Sequence, residues 1–163
     1  MVSIPRILIL GGYGNTGFLI AKCLVQETNA DIVLAGRNIE KVDEAAKTLN
    51  LSYRTNRVSA KKVDAANLND LVSSLWDTDL VVVASSTMDY VREVATIALD
   101  TETDYFDVQL SSPEKLSVLN SLRNRIEAKQ RCFITDGGFH PGVPAAMVRC
   151  AADHFDELKI AHV

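Results

Sequence analysis

The sequence lacks the features that mark several classes of protein. Within its 163 residues, no apolar run approaches the ~18 residues of a membrane-spanning helix. Lysine and arginine form no cluster, and the formal net charge is −4, which argues against a nucleic-acid or membrane-surface partner. The N-terminal apolar run is too short for a signal peptide and is followed by glycines instead of a cleavage site.

The sequence also contains few cysteines. Cys23, Cys132 and Cys150 are odd in number, lie far apart and form no CxxC motif. This pattern argues against a disulfide framework and against a metal site, and it favours a cytoplasmic protein. A hydrophobic content of 47% and a charged content of 23% are typical of a globular domain rather than a disordered chain.

What the chain does contain is a regular alternation of short apolar runs and amphipathic stretches. Five runs rich in Val, Ile, Leu and Phe are Ile7–Leu10, Ile32–Ala35, Leu80–Ala84, Tyr105–Val108 and Cys132–Thr135. Continuous apolar runs of this length are typical of strands buried on both faces of a parallel sheet. A weaker sixth candidate, Val58–Val63, is interrupted by two lysines, and we expect it nearer an edge.

Helical patterns separate these runs, at Asn15–Glu27, after the capping residue Asn38, at Met88–Leu99, and from Ser112 to about Ala128. This alternation predicts a Rossmann-type, doubly wound, mostly parallel α/β sheet of order 3-2-1-4-5-6 with helices on both faces. We assign residues 1–140 to this domain. Residues 141–163 read as a further helix, to about Phe155, and the start of a strand through Leu158, Ile160 and Val163, leading to a missing second domain.

The most informative stretch is ILILGGYGNTGFLIAKCL, where the first strand meets the first helix. Gly12, Gly14 and Gly17 fit the motif GxGxxG. In this motif the first glycine permits a tight turn, the second lets the backbone approach a pyrophosphate, and the third lets helix and strand pack closely. The helix N-terminus then presents N–H groups and the positive end of its dipole to phosphate. Because the flanking strand and helix agree, we predict dinucleotide binding rather than a packing role alone.

The same region also fits a second spacing. Gly11, Gly14 and Gly17 satisfy GxxGxxG, which is found in short-chain and related atypical dehydrogenases. Short-chain enzymes use a tyrosine and a lysine four residues apart to protonate the substrate, and no tyrosine of this chain has a lysine four positions on. An atypical short-chain-type reductase therefore stays an alternative only without that catalytic pair.

The end of the second predicted strand indicates which dinucleotide is bound. An NAD site carries an acidic residue about twenty positions beyond the glycines. Here the count from Gly17 leads to Arg37, and the segment VLAGRNI contains no carboxylate. A guanidinium can bind the 2′-phosphate of NADP through paired, charge-assisted hydrogen bonds. We predict NADP(H) in preference to NAD(H), with Asn38 and Lys41 assisting, against the alternative of a solvated arginine that opens a helix.

Polar residues follow three further predicted strands, at the sheet edge where ligands bind in such folds. Asp64 is placed either to accept a hydrogen bond from the adenine or to cap the next helix. Ser85 and Ser86 are placed to contact the nicotinamide-side ribose or the pyrophosphate, to cap a helix, or to do both. Asp107 is a catalytic candidate that would orient substrate or move a proton, and its alternative is a helix-entry carboxylate.

The sixth predicted strand ends in the turn GGFHPG. Pro141 and Gly142 are expected to shape a turn that brings backbone against the nicotinamide. His140 is the second catalytic candidate because no other side chain nearby titrates close to neutral pH. A lone histidine in a loop is more often structural, so this alternative stays open.

Taken together, GGYGNTG, AGRNIEK, VDAANLNDL, DLVVVASS, YFDVQ and DGGFHPGVP resemble the N-terminal NADP-binding domain of the saccharopine dehydrogenase-like family over almost the whole chain. The resemblance implies that Asp107 and the turn from Gly138 to Gly142 face the nicotinamide. It also implies cofactor contacts at Gly12, Tyr13, Gly14, Asn15, Thr16, Arg37, Asp64, Ser85 and Ser86.

The family resemblance also implies an activity: NADP-dependent reduction of an imine formed between an amine and a carbonyl compound. A small-molecule substrate would then be bound with the help of a second domain, and a homodimer is possible. Well-known members often carry proline and an aromatic residue where this chain has Ser85 and Ser86, beside the reacting centre. A non-catalytic NADP-sensing module is the competing hypothesis. We expect this chain to bind the cofactor without turnover by itself.

Overall fold

The computed structural model describes residues 4–138, 142–157 and 159–160. Six strands form one sheet of order β3-β2-β1-β4-β5-β6, and neighbouring strands pair in parallel. The strands are β1 (Arg6–Leu10), β2 (Asp31–Gly36), β3 (Val58–Lys62), β4 (Leu80–Val83), β5 (Asp104–Asp107) and β6 (Phe133–Ile134). The predicted doubly wound fold and its strand order are confirmed.

Helices follow the strands, as the short connections require. They are α1 (Asn15–Glu27), α2 (Ile39–Tyr53), α3 (Leu68–Leu75), α4 (Val91–Asp100), α5 (Pro113–Ser121), α6 (Arg123–Ala128) and α7 (Gly142–Ala152). Asn38 caps α2, and Ser112 caps α5 with Pro113 in its first turn, as the sequence predicts. Each capping oxygen accepts a hydrogen bond from an N–H group that has no partner within the helix.

The core lies on both faces of the sheet because successive side chains of a strand point to opposite sides. Along β1, Ile7 and Ile9 join the cluster that packs with α1 and α2, while Leu8 and Leu10 join the cluster that packs with α3 and α4. Leu8 and Ile9 are both fully buried. Double burial is the reason that this strand appears in the sequence as a continuous apolar run rather than an alternating one.

Three predicted helices differ from the observed ones, whereas each of the six predicted strands of the sheet differs by no more than one residue at either end. The helix predicted from Ser112 to Ala128 is two helices that meet at Leu122, whose N–H bonds to the Leu119 carbonyl three residues back while its side chain packs in the core. The first turn of the helix predicted from Met88 is a 3₁₀ turn, Met88–Tyr90. The final helix, α7, ends at Ala152 rather than near Phe155.

The strand predicted after α7 is not borne out where it can be examined. Ile160 is not in a strand, and Leu158 and Val163 lie outside the described residues. None of the helices in the described ranges is long and apolar enough to span a membrane. The three cysteines carry free, exposed thiols.

Candidate functional site

The turn after β1 is built by two adjacent glycines with different tasks. Gly11 has a φ of +83°, a conformation that glycine adopts without steric cost. The N–H groups of Gly11 and Gly12 both donate to the Ala35 carbonyl, at 2.9 and 3.1 Å. The tight-turn role predicted for Gly12 therefore belongs to Gly11. Gly12 is needed for a close approach instead, since a Cβ there would lie 2.9 Å from the Cβ of Leu34.

The N-terminus of α1 opens directly from this turn. Gly14 is the N-cap residue, no side chain of a described residue caps the helix, and its first turn contains no acidic residue. A Cβ at Gly17 would lie 2.3 Å from the Gly11 carbonyl oxygen, so only glycine lets the helix start this close to β1. Asn15 and Thr16 are exposed at the same end. These features leave the helix terminus available to an anion.

A cleft of about 420 Å³ lies at the carboxyl ends of β1 to β4. It sits between β1 and β4, where the strand order reverses and where doubly wound sheets bind their ligands. Six of the predicted site residues line it, namely Tyr13, Gly14, Arg37, Asp64, Ser85 and Ser86. The lining also includes residues that were not predicted as contacts, among them Gly11, Gly36, Val63, Ala65, Ala66, Thr87 and Tyr90.

At the end of β2, the backbone makes room for an aromatic side chain. A Cβ at Gly36 would lie 2.4 Å from Cε1 of Tyr13, so the Tyr13 ring lies across the strand end beside Arg37. Arg37 is exposed, and its guanidinium forms no salt bridge with a described residue. Asn38 uses its side-chain oxygen to accept from the Lys41 N–H at 2.9 Å. Neither Asn38 nor Lys41 lines the cleft.

The two alternatives for Asp64 are separated by the capping geometry of α3. Asn67 is the N-cap residue, and its side-chain oxygen accepts from the N–H groups of Asn69 and Asp70. Asp64 does not cap α3. Its Oδ1 accepts from the Ala66 N–H at 3.1 Å, which shapes the turn that borders the cleft.

The wall at the end of β4 consists of hydroxyl side chains. Ser85 and Thr87 hydrogen-bond through their hydroxyl oxygens at 3.0 Å, and Ser86 is exposed. Neither Ser85 nor Ser86 caps the 3₁₀ turn that follows. A Cβ at Gly11 would lie 2.8 Å from the Ser85 Cβ, so this wall packs directly against the glycine turn.

Asp107 does not line the cleft, in contrast to the expectation from its strand-end position. The residue is fully buried. Its Oδ2 accepts from the Tyr105 and Thr135 hydroxyls at 3.0 and 2.8 Å, and its Oδ1 accepts from Nζ of Lys115 at 2.9 Å. These contacts favour a structural role over the catalytic one, and Asp107 is not a helix-entry carboxylate either, because Ser112 caps α5.

Lys115 was missed because a lysine in the first turn of an amphipathic helix is normally solvated. It is 2% exposed and lies between Asp107 and Asp136. Although burial alone would raise it, the pKa of Asp136 is held below its usual value by hydrogen bonds from Lys115 and Ser111. Burial, and then the charge of Asp107, raises the pKa of the Tyr105 phenol far above its usual value, so this hydroxyl stays a donor.

The glycines after β6 serve close packing. A Cβ at Gly138 would lie 2.7 Å from the Val108 carbonyl oxygen, and one at Gly142 would lie 2.8 Å from that of Asp136. Neither glycine lines the cleft. His140 and Pro141 lie outside the described residues, so their proposed roles stay predictions.

The residues of the cleft fit a bound NADP(H). Side chains would crowd the turn, the helix start and the strand end, and this crowding is avoided because glycine has no Cβ at Gly11, Gly14, Gly17 and Gly36. An exposed guanidinium stands at the end of β2, where an NAD site would carry a carboxylate. The strand-order reversal, the glycine turn and this guanidinium define a Rossmann-type NADP-binding domain.

The particular family follows from comparison with known proteins. The chain belongs to the family described as saccharopine dehydrogenase NADP binding domain, whose model matches residues 7–134. This result confirms the family resemblance and the preference for NADP(H). It also assigns the chain to an oxidoreductase family.

Individual relatives are similar at lower identity. Carboxyaminopropylagmatine dehydrogenase from Synechocystis sp. is 26% identical over 162 residues, covering 94% of this chain and 39% of that protein. Apo saccharopine dehydrogenase (L-Glu forming) from Saccharomyces cerevisiae superposes with a TM-score of 0.72 at 20% identity, covering 91% of this chain and 31% of that one. The chain thus spans well under half the length of both relatives.

A third likeness is to a short-chain dehydrogenase/reductase (wide type) from Veillonella parvula DSM 2008, solved in complex with NADP. Its TM-score is 0.58 at 13% identity, and the match covers 82% of this chain and 68% of that one. At this identity, as with the yeast structure, the likeness shows the fold alone.

Proposed function

We propose that this chain is the cofactor domain of an oxidoreductase that transfers hydride to or from a C–N bond, in an imine or a secondary amine. The observation that carries the proposal is the cleft itself, where the glycine turn, the exposed guanidinium of Arg37 and a hydroxyl-lined wall surround one cavity. Family membership supports the cofactor and the oxidoreductase class. The C–N substrate follows from the family resemblance.

The adenosine half of the cofactor would lie on the β2 and β3 side. There Arg37 would bind the 2′-phosphate, Tyr13 would pack against the nucleotide, and Asp64 would border the adenine. The pyrophosphate would approach Gly14, whose own N–H donates to the Gly11 carbonyl at 2.9 Å. It would bind at the start of α1, where the N–H groups of the first helical turn and the helix dipole favour an anion.

The nicotinamide half would lie along the hydroxyl wall formed by Ser85, Ser86 and Thr87. When bound, NADPH supplies the hydride. The chain's own contribution is to hold the two reacting partners in orientation, which by itself accelerates reactions between bound groups. Because Asp107 is buried and ion-paired, we propose that it does not move the proton, and His140 stays the other candidate.

The central test is the contribution of Arg37 to cofactor choice. Each charge-assisted hydrogen bond contributes about 1.5–3 kcal/mol, and 1.4 kcal/mol is about tenfold in affinity. We expect Arg37→Ala to weaken NADPH binding tens- to hundredfold and to leave NADH binding unchanged, as measured by isothermal titration calorimetry. Arg92→Ala is the matched control, since Arg92 is exposed on α4 and lies outside the cleft. Equal NADPH and NADH affinities in the unaltered chain would overturn the role of Arg37.

A second test concerns turnover. We expect the chain to bind NADPH but not to oxidise it when mixtures of amines and carbonyl compounds are added, as followed by absorbance at the nicotinamide band. Turnover by the chain alone would contradict the need for a second domain. A cytoplasmic location and a homodimer stay predictions.

A further inference from the structure

A buried ionic cluster lies at the carboxyl ends of β5 and β6 and consists of Asp107, Lys115 and Asp136. Lys115 is 2% exposed and Asp107 is fully buried. The ammonium of Lys115 uses its three N–H donors on Oδ1 of Asp107 at 2.9 Å, Oδ1 of Asp136 at 2.5 Å and the Gln109 carbonyl at 3.3 Å. None of these three residues lines the cleft.

Stability alone is a weak reason for such a cluster. Removing charges from water is costly, and well-packed apolar side chains of similar volume often stabilise a fold as well or better. What an ionic cluster adds is geometry, because each hydrogen bond restrains both distance and direction. The part of the chain that this cluster restrains therefore indicates what the cluster does.

The cluster restrains the backbone of Gln109. Its backbone N–H donates to Oδ1 of Asp107 at 3.2 Å, and its carbonyl accepts from Lys115. Asp107 and Lys115 thus hold the main chain of Gln109 on both sides.

The Gln109 side chain then reaches the hydroxyl wall of the cleft. Its Nε2 donates to the Ser85 carbonyl at 2.9 Å and to the Thr87 hydroxyl at 3.3 Å. Because a carbonyl only accepts, the bond to Ser85 identifies the amide nitrogen. The other amide atom, Oε1, is buried without a hydrogen-bond partner among the described residues. A buried unpaired oxygen is unfavourable, so the Nε2 bonds are what hold the amide in this orientation.

We propose that Lys115 is a positioning residue for the nicotinamide side of the site. The cluster fixes Gln109, and Gln109 holds Ser85 and Thr87 of the hydroxyl wall in place. The inference rests on the proposed function in one respect, namely that the nicotinamide half of NADP(H) lies along this wall. Lys115 itself contacts neither cofactor nor substrate.

The test compares two ligands that share one half. Adenosine 2′,5′-bisphosphate carries the groups assigned to the glycine turn and Arg37 but none that would reach the wall. We expect Lys115→Met to weaken NADPH binding about tenfold while the affinity for adenosine 2′,5′-bisphosphate changes less than twofold, both by isothermal titration calorimetry. Lys47→Met is the matched control, because Lys47 lies on α2 with a side chain that is 71% exposed.

A second variant covers the case in which Lys115→Met does not fold, as judged by circular dichroism. Gln109→Met removes the donor to Ser85 and Thr87 but leaves the ionic cluster and the Gln109 backbone in place. We expect the same selective loss of NADPH affinity. Equal losses for both ligands, no loss for either, or failure of Gln109→Met to fold would each overturn the positioning role.

The unaltered chain separates this inference from the proposed function. If NADPH binds no more tightly than adenosine 2′,5′-bisphosphate, the nicotinamide half makes no favourable contacts with the wall. This result would overturn both proposals. Tighter NADPH binding that neither variant changes would leave the proposed function standing and overturn the inference alone.

Discussion

Two regions at the carboxyl edge of one sheet use polar residues in opposite ways. At the ends of β1 and β2, the glycine turn, the uncapped start of α1 and the guanidinium of Arg37 face an open cleft. At the ends of β5 and β6, Asp107 and Lys115 are buried and bonded to one another. Free polar groups can bind a ligand, whereas internally paired groups hold backbone in place. Position at a strand end therefore does not decide which role a residue has; burial and pairing do.

Removing the buried carboxylate should have the largest effect. Asp107→Ala leaves the ammonium of Lys115 with one carboxylate partner instead of two. It also removes the carboxylate oxygen to which the Tyr105 and Thr135 hydroxyls donate. Breaking a buried ion pair costs about 3–5 kcal/mol. We expect this loss in the free energy of unfolding measured with urea. Asp64→Ala, beside the open cleft, should lower the free energy of unfolding far less. Similar losses in both variants would contradict the distinction between the two regions.

A methyl group at the helix start should have the next largest effect. Gly17→Ala brings a Cβ to 2.3 Å from the Gly11 carbonyl oxygen, so helix and turn must separate. We expect a loss of about 1–3 kcal/mol in unfolding free energy together with weaker NADPH binding. Gly14→Ala, where the nearest atom would lie at 3.2 Å, is the milder comparison. An unchanged NADPH affinity in Gly17→Ala would show that the turn does not form the pyrophosphate site.

Loss of the α2 cap should have a smaller effect. Asn38→Ala removes the acceptor for the Lys41 N–H, and such substitutions cost about 1 kcal/mol. We expect this decrease in thermal or urea unfolding, with NADPH affinity reduced less than threefold. A tenfold loss of affinity at unchanged stability would instead support a direct cofactor contact by Asn38.

The smallest effect expected is a change in acid stability. The pKa of Asp136 is lowered in the folded chain, so its stabilising contribution is present above the ordinary carboxyl pKa of about 3.9 and is lost as pH falls through the lower, folded value. Asp136→Asn should flatten the decline of unfolding free energy in that acidic range. Asp153→Asn, at an exposed position, should leave the decline unchanged. A decline in Asp136→Asn identical to that of the unaltered chain would contradict the coupling to Lys115.

Two errors of sequence interpretation share a cause. Helical periodicity is the same on both sides of Leu122, so nothing local reveals that this residue turns into the core and divides α5 from α6. The tight-turn role was assigned to Gly12 instead of Gly11 because the motif specifies spacing, whereas the positive φ of Gly11 depends on where the Ala35 carbonyl meets the turn. Both decisions are made by contacts with other elements.

What the sequence determined by itself was local and repetitive: the strand–glycine–helix order, the doubly buried apolar runs and the arginine that ends the second strand. Each of these features depends on a few consecutive residues, and its effect is on the local backbone or on the adjacent helix or strand. The burial of Asp107 was decided only by the tertiary structure. Its partners Lys115, Thr135 and Asp136 lie 8, 28 and 29 positions away, and a charge becomes structural only when folding removes water and brings its counter-charges within hydrogen-bonding distance.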